Sequence, residues 1–233
     1  SSGLSLSWTR DLADLGRTVS IMLANFSSPL VEEGKVEEPP AREPQGEKEE
    51  STGLGSGFFV NEFGLIATNY HVAGACRAIS VPGHGPATLV KGDEDTDLAV
   101  IELRSGKSPA WASIRPTPPA LAESVVLLGY PLATLLDSSL NVSTGIVSAE
   151  TGLGGNREWF TTNAGIQPGN SGGPILDETG AVIGVAVAKM NDAKMLEAMG
   201  NIASNVGFGI KGDTLLKFLR VFKLTEATGG TPL

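Results

Sequence analysis

The chain has 233 residues and a formal net charge of −9, and apolar residues make up 41% of it. This length suits one large domain or two small ones that share an interface, and the apolar content is enough for a substantial core. No apolar run reaches the roughly 18 residues that a membrane-spanning helix needs, and no cluster of lysine and arginine indicates nucleic acid as a partner. The single cysteine, Cys76, excludes an internal disulfide.

The first fifty residues divide into two short apolar stretches and a charged one. Residues 8–16 have the pattern of a short helix, and residues 18–24 that of a strand. Residues 27–53 are rich in Glu and Pro, and within them residues 31–50 carry eight glutamates against three basic residues, a net charge of −5. Because such a composition buries little apolar surface, we predict a mobile acidic loop, with a regulatory or partner-binding loop as the alternative.

Short strands follow in two sets. Residues 55–60 and 65–68 predict a β-hairpin that turns at 61–64, and further strands are predicted at 76–81, 87–91 and 97–103. Cys76 is expected to be a small buried residue in a strand-like run. His84 lies in a Pro-Gly-His-Gly-Pro turn, where a solvated side chain is expected.

A proline-rich connection over residues 104–119 separates this set from the second. The second set is predicted at 124–128, 144–149, 158–162, 174–176, 181–189 and 205–210. Residues 192–199 have helical character, and Asp213 could cap a C-terminal helix over 214–223. The fold class expected is all-β, with two six-stranded antiparallel β-barrels, a C-terminal helix and short helical insertions. The chain would form one unit, with an N-terminal barrel over 8–110 and a C-terminal barrel with the terminal helix over 120–223.

A serine among glycines provides the first indication of chemistry. Ser171 lies in the run Gly-Asn-Ser-Gly-Gly-Pro, where glycines let the backbone approach a substrate and direct its N–H groups. A serine attacks a carbonyl only when a base takes its proton and a third group orients that base. His71 and Asp97 are candidates for these two roles. Each motif alone is weak, but the three together in the order His, Asp, Ser make coincidence implausible.

The same stretches resemble the trypsin-like serine peptidases with a chymotrypsin-like fold, and in particular their bacterial HtrA/Deg-like branch. The resemblance runs from about Leu12 to Lys223 and rests on the following stretches: Gly-Ser-Gly-Phe-Phe-Val at 55–60, Thr-Asn-Tyr-His-Val at 68–72, Asp-Leu-Ala-Val-Ile at 97–101, Gly-Tyr-Pro at 129–131, Thr-Gly-Ile-Val-Ser-Ala at 144–149, Gln-Pro-Gly-Asn-Ser-Gly-Gly-Pro at 167–174 and Asn-Val-Gly-Phe-Gly-Ile at 205–210.

The resemblance implies a role for each matching residue. Ser171 would be the nucleophile, His71 the general base and then acid, and Asp97 the orienting carboxylate. The backbone N–H groups of Gly169 and Ser171 would form the oxyanion hole, with Asn170 shaping that turn. Digestive relatives carry an acidic residue where Asn170 stands, so activation through an ion pair with a new N-terminus is not expected.

The resemblance also implies a pocket for the P1 side chain and a class of substrate. The pocket would be lined by Gly165, Ile166, Val185, Ala186, Val187, Gly207 and Phe208. Since Gly165 is not acidic, we expect a loose preference for small or aliphatic P1 residues, and an effect of Lys189 on acidic P1 residues stays open. Polypeptides, unfolded or partly folded, are the expected substrates.

Several expectations follow on context. A periplasmic or secreted location is implied by the resemblance, and no metal or cofactor is implied. The oligomeric state, monomer or trimer, stays open, as does the presence of a PDZ domain, which HtrA proteins usually carry after the peptidase. The alternative function is a latent or non-catalytic protein of the protease fold that acts as a peptide-binding or chaperone-like module.

Overall fold

The computed structural model describes residues 54–131, 140–188 and 206–224. The helix predicted at 8–16, the strand at 18–24, the acidic loop at 27–53, the helical insertion at 192–199 and Lys189 lie outside these residues. Within the described residues, no helix is long and apolar enough to cross a membrane.

The described residues of the N-terminal half form a five-stranded antiparallel sheet rather than the predicted six-stranded barrel. Its strands are β1 (Phe58–Phe59), β2 (Leu65–Asn69), β3 (Ile79–Val81), β4 (Gly85–Asp93) and β5 (Leu98–Leu103). They lie in the order β1-β2-β5-β4-β3. The predicted hairpin is confirmed, because Phe58 pairs with Ala67 and Phe59 with Ile66. A single-turn helix, α1 (Tyr70–Ala73), follows β2 directly and was not predicted.

The C-terminal half is a closed six-stranded antiparallel barrel. Its strands are β6 (Ser124–Gly129), β7 (Asn141–Ala149), β8 (Trp159–Thr162), β9 (Pro174–Leu176), β10 (Val182–Val187) and β11 (Gly207–Lys211). The barrel closes in the order β10-β11-β8-β7-β6-β9. A 3₁₀ turn, Leu153–Gly155, precedes β8, and helix α2 (Gly212–Val221) follows β11. Both the all-β class and the second barrel are therefore confirmed.

Two apolar clusters hold these layers together. One fills the barrel and is built around Phe160, whose ring packs so close to Gly184 and Gly209 that a Cβ on either would collide with it. The other cluster runs from the N-terminal sheet to β10, β11 and α2. Because this second cluster contains buried residues from both halves, the sheet and the barrel pack against one another rather than standing as independent units.

Three predictions on individual residues need correction. Cys76 is half-buried and lies after α1, outside any strand, where its thiol donates to the Val72 carbonyl at 3.2 Å and burial raises its pKa. His84 does occupy the β3–β4 turn, but its ring is half-buried with its centroid 5.3 Å from that of Phe59. Asp213 lies inside the first turn of α2, whose N-cap is Lys211.

Candidate active site

His71 lies where a fully buried strand of the N-terminal sheet ends. Every residue of β2 is buried, so the strand is fixed in place, and the chain then turns at once into α1. His71 is the second residue of that helix and is half-buried. The short helix therefore projects the imidazole from a rigid strand end, which limits its orientations.

Asp97 meets His71 from the neighbouring strand. It immediately precedes β5, which pairs with β2 so that Leu98 lies opposite Asn69. The Asp97 carboxylate accepts the His71 backbone N–H at 3.0 Å, and its Oδ2 lies 2.8 Å from His71 Nδ1. The Asp97 carbonyl accepts the Tyr70 N–H at 3.1 Å and an Asn69 amide N–H at 3.0 Å. These bonds hold Asp97 at a φ of 54°, a conformation that few residues other than glycine and asparagine or aspartate adopt.

Ser171 follows a tight turn that leaves β8 and leads to β9. Asn170 donates its N–H to the Gln167 carbonyl at 2.9 Å, Pro168 takes the second position, and Gly169 has a φ of 97°. A proline followed by a glycine at positive φ is the signature of a type II turn. Ser171 itself is buried, with 4% of its surface exposed. The turn at Pro168 and Gly169 therefore fixes the backbone that leads into Ser171, the predicted nucleophile.

The hydroxyl of Ser171 forms a hydrogen bond with the backbone just after β10. Its Oγ accepts the Ala188 N–H at 2.9 Å. Within the described part of the chain, His71 makes side-chain hydrogen bonds to Asp97 alone, and none joins it to Ser171. The His71–Asp97 pair is thus assembled, while the serine hydroxyl points to Ala188.

The predicted oxyanion donors have open N–H groups. No acceptor among the described residues lies within hydrogen-bonding distance of the N–H of Gly169 or of Ser171. Their neighbours differ, since Asn170, Gly172 and Gly173 all donate to backbone carbonyls. Because two neighbouring N–H groups on one turn are open, this pair is well suited to receive an anionic oxygen.

The serine turn is fixed to the strand that carries His71. Ser56 donates its N–H to the Ser171 carbonyl at 2.8 Å, and its own carbonyl accepts the Thr68 hydroxyl at 2.7 Å. Gly172, at a φ of 85°, packs so tightly here that a Cβ would collide with the Ser56 carbonyl oxygen and the Thr68 hydroxyl. Thr68 is three residues before His71. The hydrogen bonds through Ser56 therefore connect the backbone of the predicted nucleophile to the strand that leads to the predicted base.

The residues predicted to line the P1 pocket lie on two sides of the barrel wall. Ile166 lies against Gly207, where a Cβ would come within 2.7 Å of the isoleucine side chain, and the Gly165 N–H donates to Ser143 Oγ at 3.0 Å. The others lie on the paired strands β10 and β11, where Val187 lies opposite Phe208. Ala186 and Ile166 belong to the barrel interior, whereas Val185, Val187 and Phe208 belong to the cluster shared with the N-terminal half.

Three residues of the site carry no predicted role. They are Ser56, Ser143 and Ala188. Ser56 stands between two glycines, which is a visible signal of a close backbone approach. Nothing in the sequence distinguishes Ala188 or Ser143 from their neighbours, because their contacts depend on how distant segments meet.

The fold and the site define the class to which the chain belongs. The family model described as a trypsin-like peptidase domain matches residues 55–185, which is more than half of the chain. The chain therefore belongs to the trypsin-like peptidase family, as its sequence motifs predict. The matched stretch includes His71, Asp97 and Ser171.

Two curated relatives show which proteins the chain resembles. It is 38% identical over 187 residues to a protein of Sinorhizobium fredii named uncharacterized protein y4bJ, covering 78% of this chain and 29% of that protein. It is 33% identical over 161 residues to a probable periplasmic serine endoprotease DegP-like of Chlamydia trachomatis, covering 64% of this chain and 31% of that protein. The chain thus spans about a third or less of the length of these relatives.

A solved structure shows the same fold. The serine endoprotease from Yersinia pestis superimposes with a TM-score of 0.66 at 22% sequence identity, covering 97% of this chain and 70% of that chain. At this identity the likeness concerns the fold, and it agrees with the chymotrypsin-like architecture expected from the sequence.

Proposed function

We propose that this chain is a serine endopeptidase that hydrolyses peptide bonds in proteins. Ser171 is the nucleophile, His71 the general base and then acid, and Asp97 the orienting carboxylate. The observation that carries the proposal is the 2.8 Å contact between His71 Nδ1 and the Asp97 carboxylate. It supports a tautomer with the proton on Nδ1, which leaves Nε2 free to accept the proton of a serine hydroxyl.

The backbone around Ser171 supports the second half of this chemistry. When the serine oxygen attacks a carbonyl, negative charge moves to the carbonyl oxygen, and donors fixed in advance stabilise it. The open N–H groups of Gly169 and Ser171 provide two such donors, with Asn170 setting the turn between them. Attack requires the Ser171 hydroxyl, whose oxygen accepts the Ala188 N–H in this structure, to donate its proton to His71.

Substrate choice follows from the neutral surroundings of Gly165. No acidic side chain stands at this position, and Ile166 covers Gly207 from the barrel side. We infer a loose preference for small or aliphatic P1 side chains, because one methylene changes binding by only about 1–3 kcal/mol. Unfolded or partly folded polypeptides are the proposed substrates, and the relative named as periplasmic supports an extracytoplasmic location.

Turnover of fluorescein-labelled casein tests the proposal. Ser171→Ala and His71→Ala are each expected to abolish nearly all cleavage, with circular dichroism and thermal unfolding close to those of the wild type. His84→Ala is the matched control, because His84 is the other histidine of the chain and lies in the β3–β4 turn. Full activity in either of the first two variants would overturn the assignment.

The contact between Ser171 Oγ and Ala188 favours a second candidate, a latent protein that binds peptides and rarely cleaves them. Among the described residues no hydrogen bond joins this hydroxyl to His71, so the two groups are not aligned for proton transfer. The two candidates differ in the response to added polypeptide. The endopeptidase cleaves labelled casein from the first addition, whereas the latent protein retains the casein and cleaves little or none of it.

A further inference from the structure

Ser56 is a fully buried residue that links the two halves of the protein at the proposed active site. It stands two residues before β1, in the N-terminal half, and none of its surface is exposed. Each of its polar groups has a partner: the N–H, the carbonyl and the hydroxyl, the last as both donor and acceptor. Because every polar group of this buried serine has a hydrogen-bond partner, we attribute its presence here to these bonds rather than to the volume that it fills.

Two of these bonds fix the carbonyl groups of the residues on either side of Asn170. The Ser56 hydroxyl donates to the Gly169 carbonyl at 2.7 Å, and the Ser56 N–H donates to the Ser171 carbonyl at 2.8 Å. Gly169 and Ser171 are the two residues whose N–H groups are open and serve as oxyanion donors in the proposed function. Ser56 therefore holds both of these residues by their carbonyl oxygens and leaves their N–H groups unoccupied.

The remaining hydrogen bonds of Ser56 hold its own position, with one partner from each half of the protein. Its hydroxyl accepts the Tyr130 N–H at 3.0 Å, just after β6, and its carbonyl accepts the Thr68 hydroxyl at 2.7 Å in β2. The Tyr130 bond also sets the direction of the hydroxyl proton, because the oxygen accepts from one side and donates to the Gly169 carbonyl. A strand of each half thus contributes to the position of Ser56.

The shape of the turn explains why the position of Ser56 matters. Type I and type II turns differ by a flip of the central peptide, whose N–H here belongs to Gly169. With Gly169 at a φ of 97°, the type II form is present. The next peptide carries the Gly169 carbonyl, so a bond to that oxygen limits rotation on one side of the central peptide.

We propose that Ser56 is a positioning residue that keeps the Gly169 N–H aimed at the reacting carbonyl oxygen. This inference rests on the proposed serine peptidase function. Ser56 touches neither substrate nor the reacting atoms, and it acts through the turn. Removing its hydroxyl releases the Gly169 carbonyl and lets the central peptide flip, so the second oxyanion donor is lost for part of the time.

The experiment compares wild type with Ser56→Ala, Ser56→Thr and Thr214→Val. Ser56→Ala is expected to lower kcat for fluorescein-labelled casein by about 10- to 100-fold, with KM within about twofold, because the lost donor acts in the transition state. Ser56→Thr keeps the hydroxyl and is expected to restore part of kcat. Thr214→Val is the control, because it removes a buried hydroxyl near the Glu158 carbonyl, in α2 and away from the turn.

A second readout reports on the turn itself. In ¹H–¹⁵N spectra, the Asn170 and Tyr130 amides lie next to the two bonds of the Ser56 hydroxyl. Ser56→Ala is expected to shift both resonances in a protein that remains folded, whereas Thr214→Val is expected to leave them in place.

The outcomes separate this inference from the function on which it rests. A folded Ser56→Ala protein with wild-type kcat would overturn the inference, as would a fall in kcat no larger than that of Thr214→Val. If the wild type cleaves nothing under any condition, the proposed function fails. The amide resonances then decide the role of Ser56 by themselves, and unchanged Asn170 and Tyr130 signals would overturn it.

Discussion

The two sides of the proposed active site differ in the pairing of the groups that would act in catalysis. On the histidine side, the Asp97 carboxylate and carbonyl accept bonds from His71, Tyr70 and Asn69. On the serine side, the N–H groups of Gly169 and Ser171 have no acceptor among the described residues. His71 is therefore held against Asp97, while the serine side keeps donors open.

This difference follows from the elements that carry each side. The histidine side lies at the ends of β2 and β5, which pair over five consecutive residues, so strand pairing fixes it. The serine side is a turn between strands, and its hydroxyl bonds to Ala188. We infer that control of activity acts on the serine side, through the turn and the hydroxyl, while the histidine side changes little.

The largest expected effect comes from Asp97→Asn. An amide can still bond to His71, but it favours the imidazole tautomer with the proton on the wrong nitrogen. We expect kcat to fall by about 10⁴-fold, as for loss of this carboxylate in a serine triad. Asparagine tolerates the positive φ of this position, so the free energy of unfolding should change little. Steady-state casein turnover and urea denaturation measure the two quantities.

Asp95→Asn provides the matched control for this change. Asp95 is exposed and lies two residues before Asp97, so the same substitution there alters charge without touching His71. Equal losses of kcat in the two variants would mean that general electrostatics, rather than the histidine contact, accounts for the role of Asp97.

A smaller effect, on stability, is expected from Gly172→Ala. A Cβ at this position would collide with the Ser56 carbonyl oxygen and the Thr68 hydroxyl, and the φ of 85° is unfavourable for alanine. We expect a loss of about 1–2 kcal/mol from the backbone conformation and about 1–3 kcal/mol from the displaced neighbours. Urea denaturation at neutral pH measures the sum.

Gly154→Ala separates these two contributions. Gly154 has a φ of 63°, and a Cβ there would meet no atom within 4 Å. It should therefore lose only the conformational part, about 1–2 kcal/mol. If both variants lose the same stability, the close packing between the serine turn and β2 is not important for folding.

The smallest effect concerns an ion-pair cluster between the connecting segment and the barrel. Arg115 contacts Glu123 and also Asp177, at 2.9 Å, and its hydrogen bond to Glu123 lowers the pKa of that carboxyl. A lowered folded-state pKa stabilises the protein above the unfolded pKa of about 4.3, and this contribution is lost as the pH falls through the folded value.

Glu123→Gln tests that contribution. The variant should lose about 1 kcal/mol or less at pH 7, because the pair is partly exposed. Below the folded pKa of Glu123, the wild type should have lost the same contribution, so the two stability curves should converge. Curves that stay parallel from pH 7 to about pH 3 would show that protonation of Glu123 does not lower the free energy of unfolding as the pH falls.

Alternating apolar residues and turn residues made much of the fold predictable. The hairpin before His71, the closed second barrel and the terminal helix all follow from local patterns that agree with burial. The approach of His71 to Asp97 was predicted from the order of the His, Asp and Ser motifs and from the family resemblance, since no local pattern joins residues 26 apart. The family is confirmed, whereas the roles of the site residues stay predictions.

The contacts that set the serine side were not predictable. Which donor the Ser171 hydroxyl meets depends on where the end of β10 lies relative to the turn, a tertiary detail without a local signal. Val185 and Val187 belong to one apolar cluster and Ala186 to the other, as expected for successive side chains of a strand, and the pocket that they were predicted to line stays a prediction. Asp213 matched a cap by residue type, yet the helix begins before it.

Labelling with a fluorophosphonate probe tests most directly whether His71 and the open N–H groups activate Ser171. Intact-protein and peptide mass spectrometry would follow the modification in wild type, Asp97→Asn and Ser171→Ala. We expect one adduct, on Ser171, that forms in wild type, forms far more slowly in Asp97→Asn and is absent from Ser171→Ala. A folded wild type that gains no adduct on Ser171, with or without added unfolded casein, would contradict this expectation.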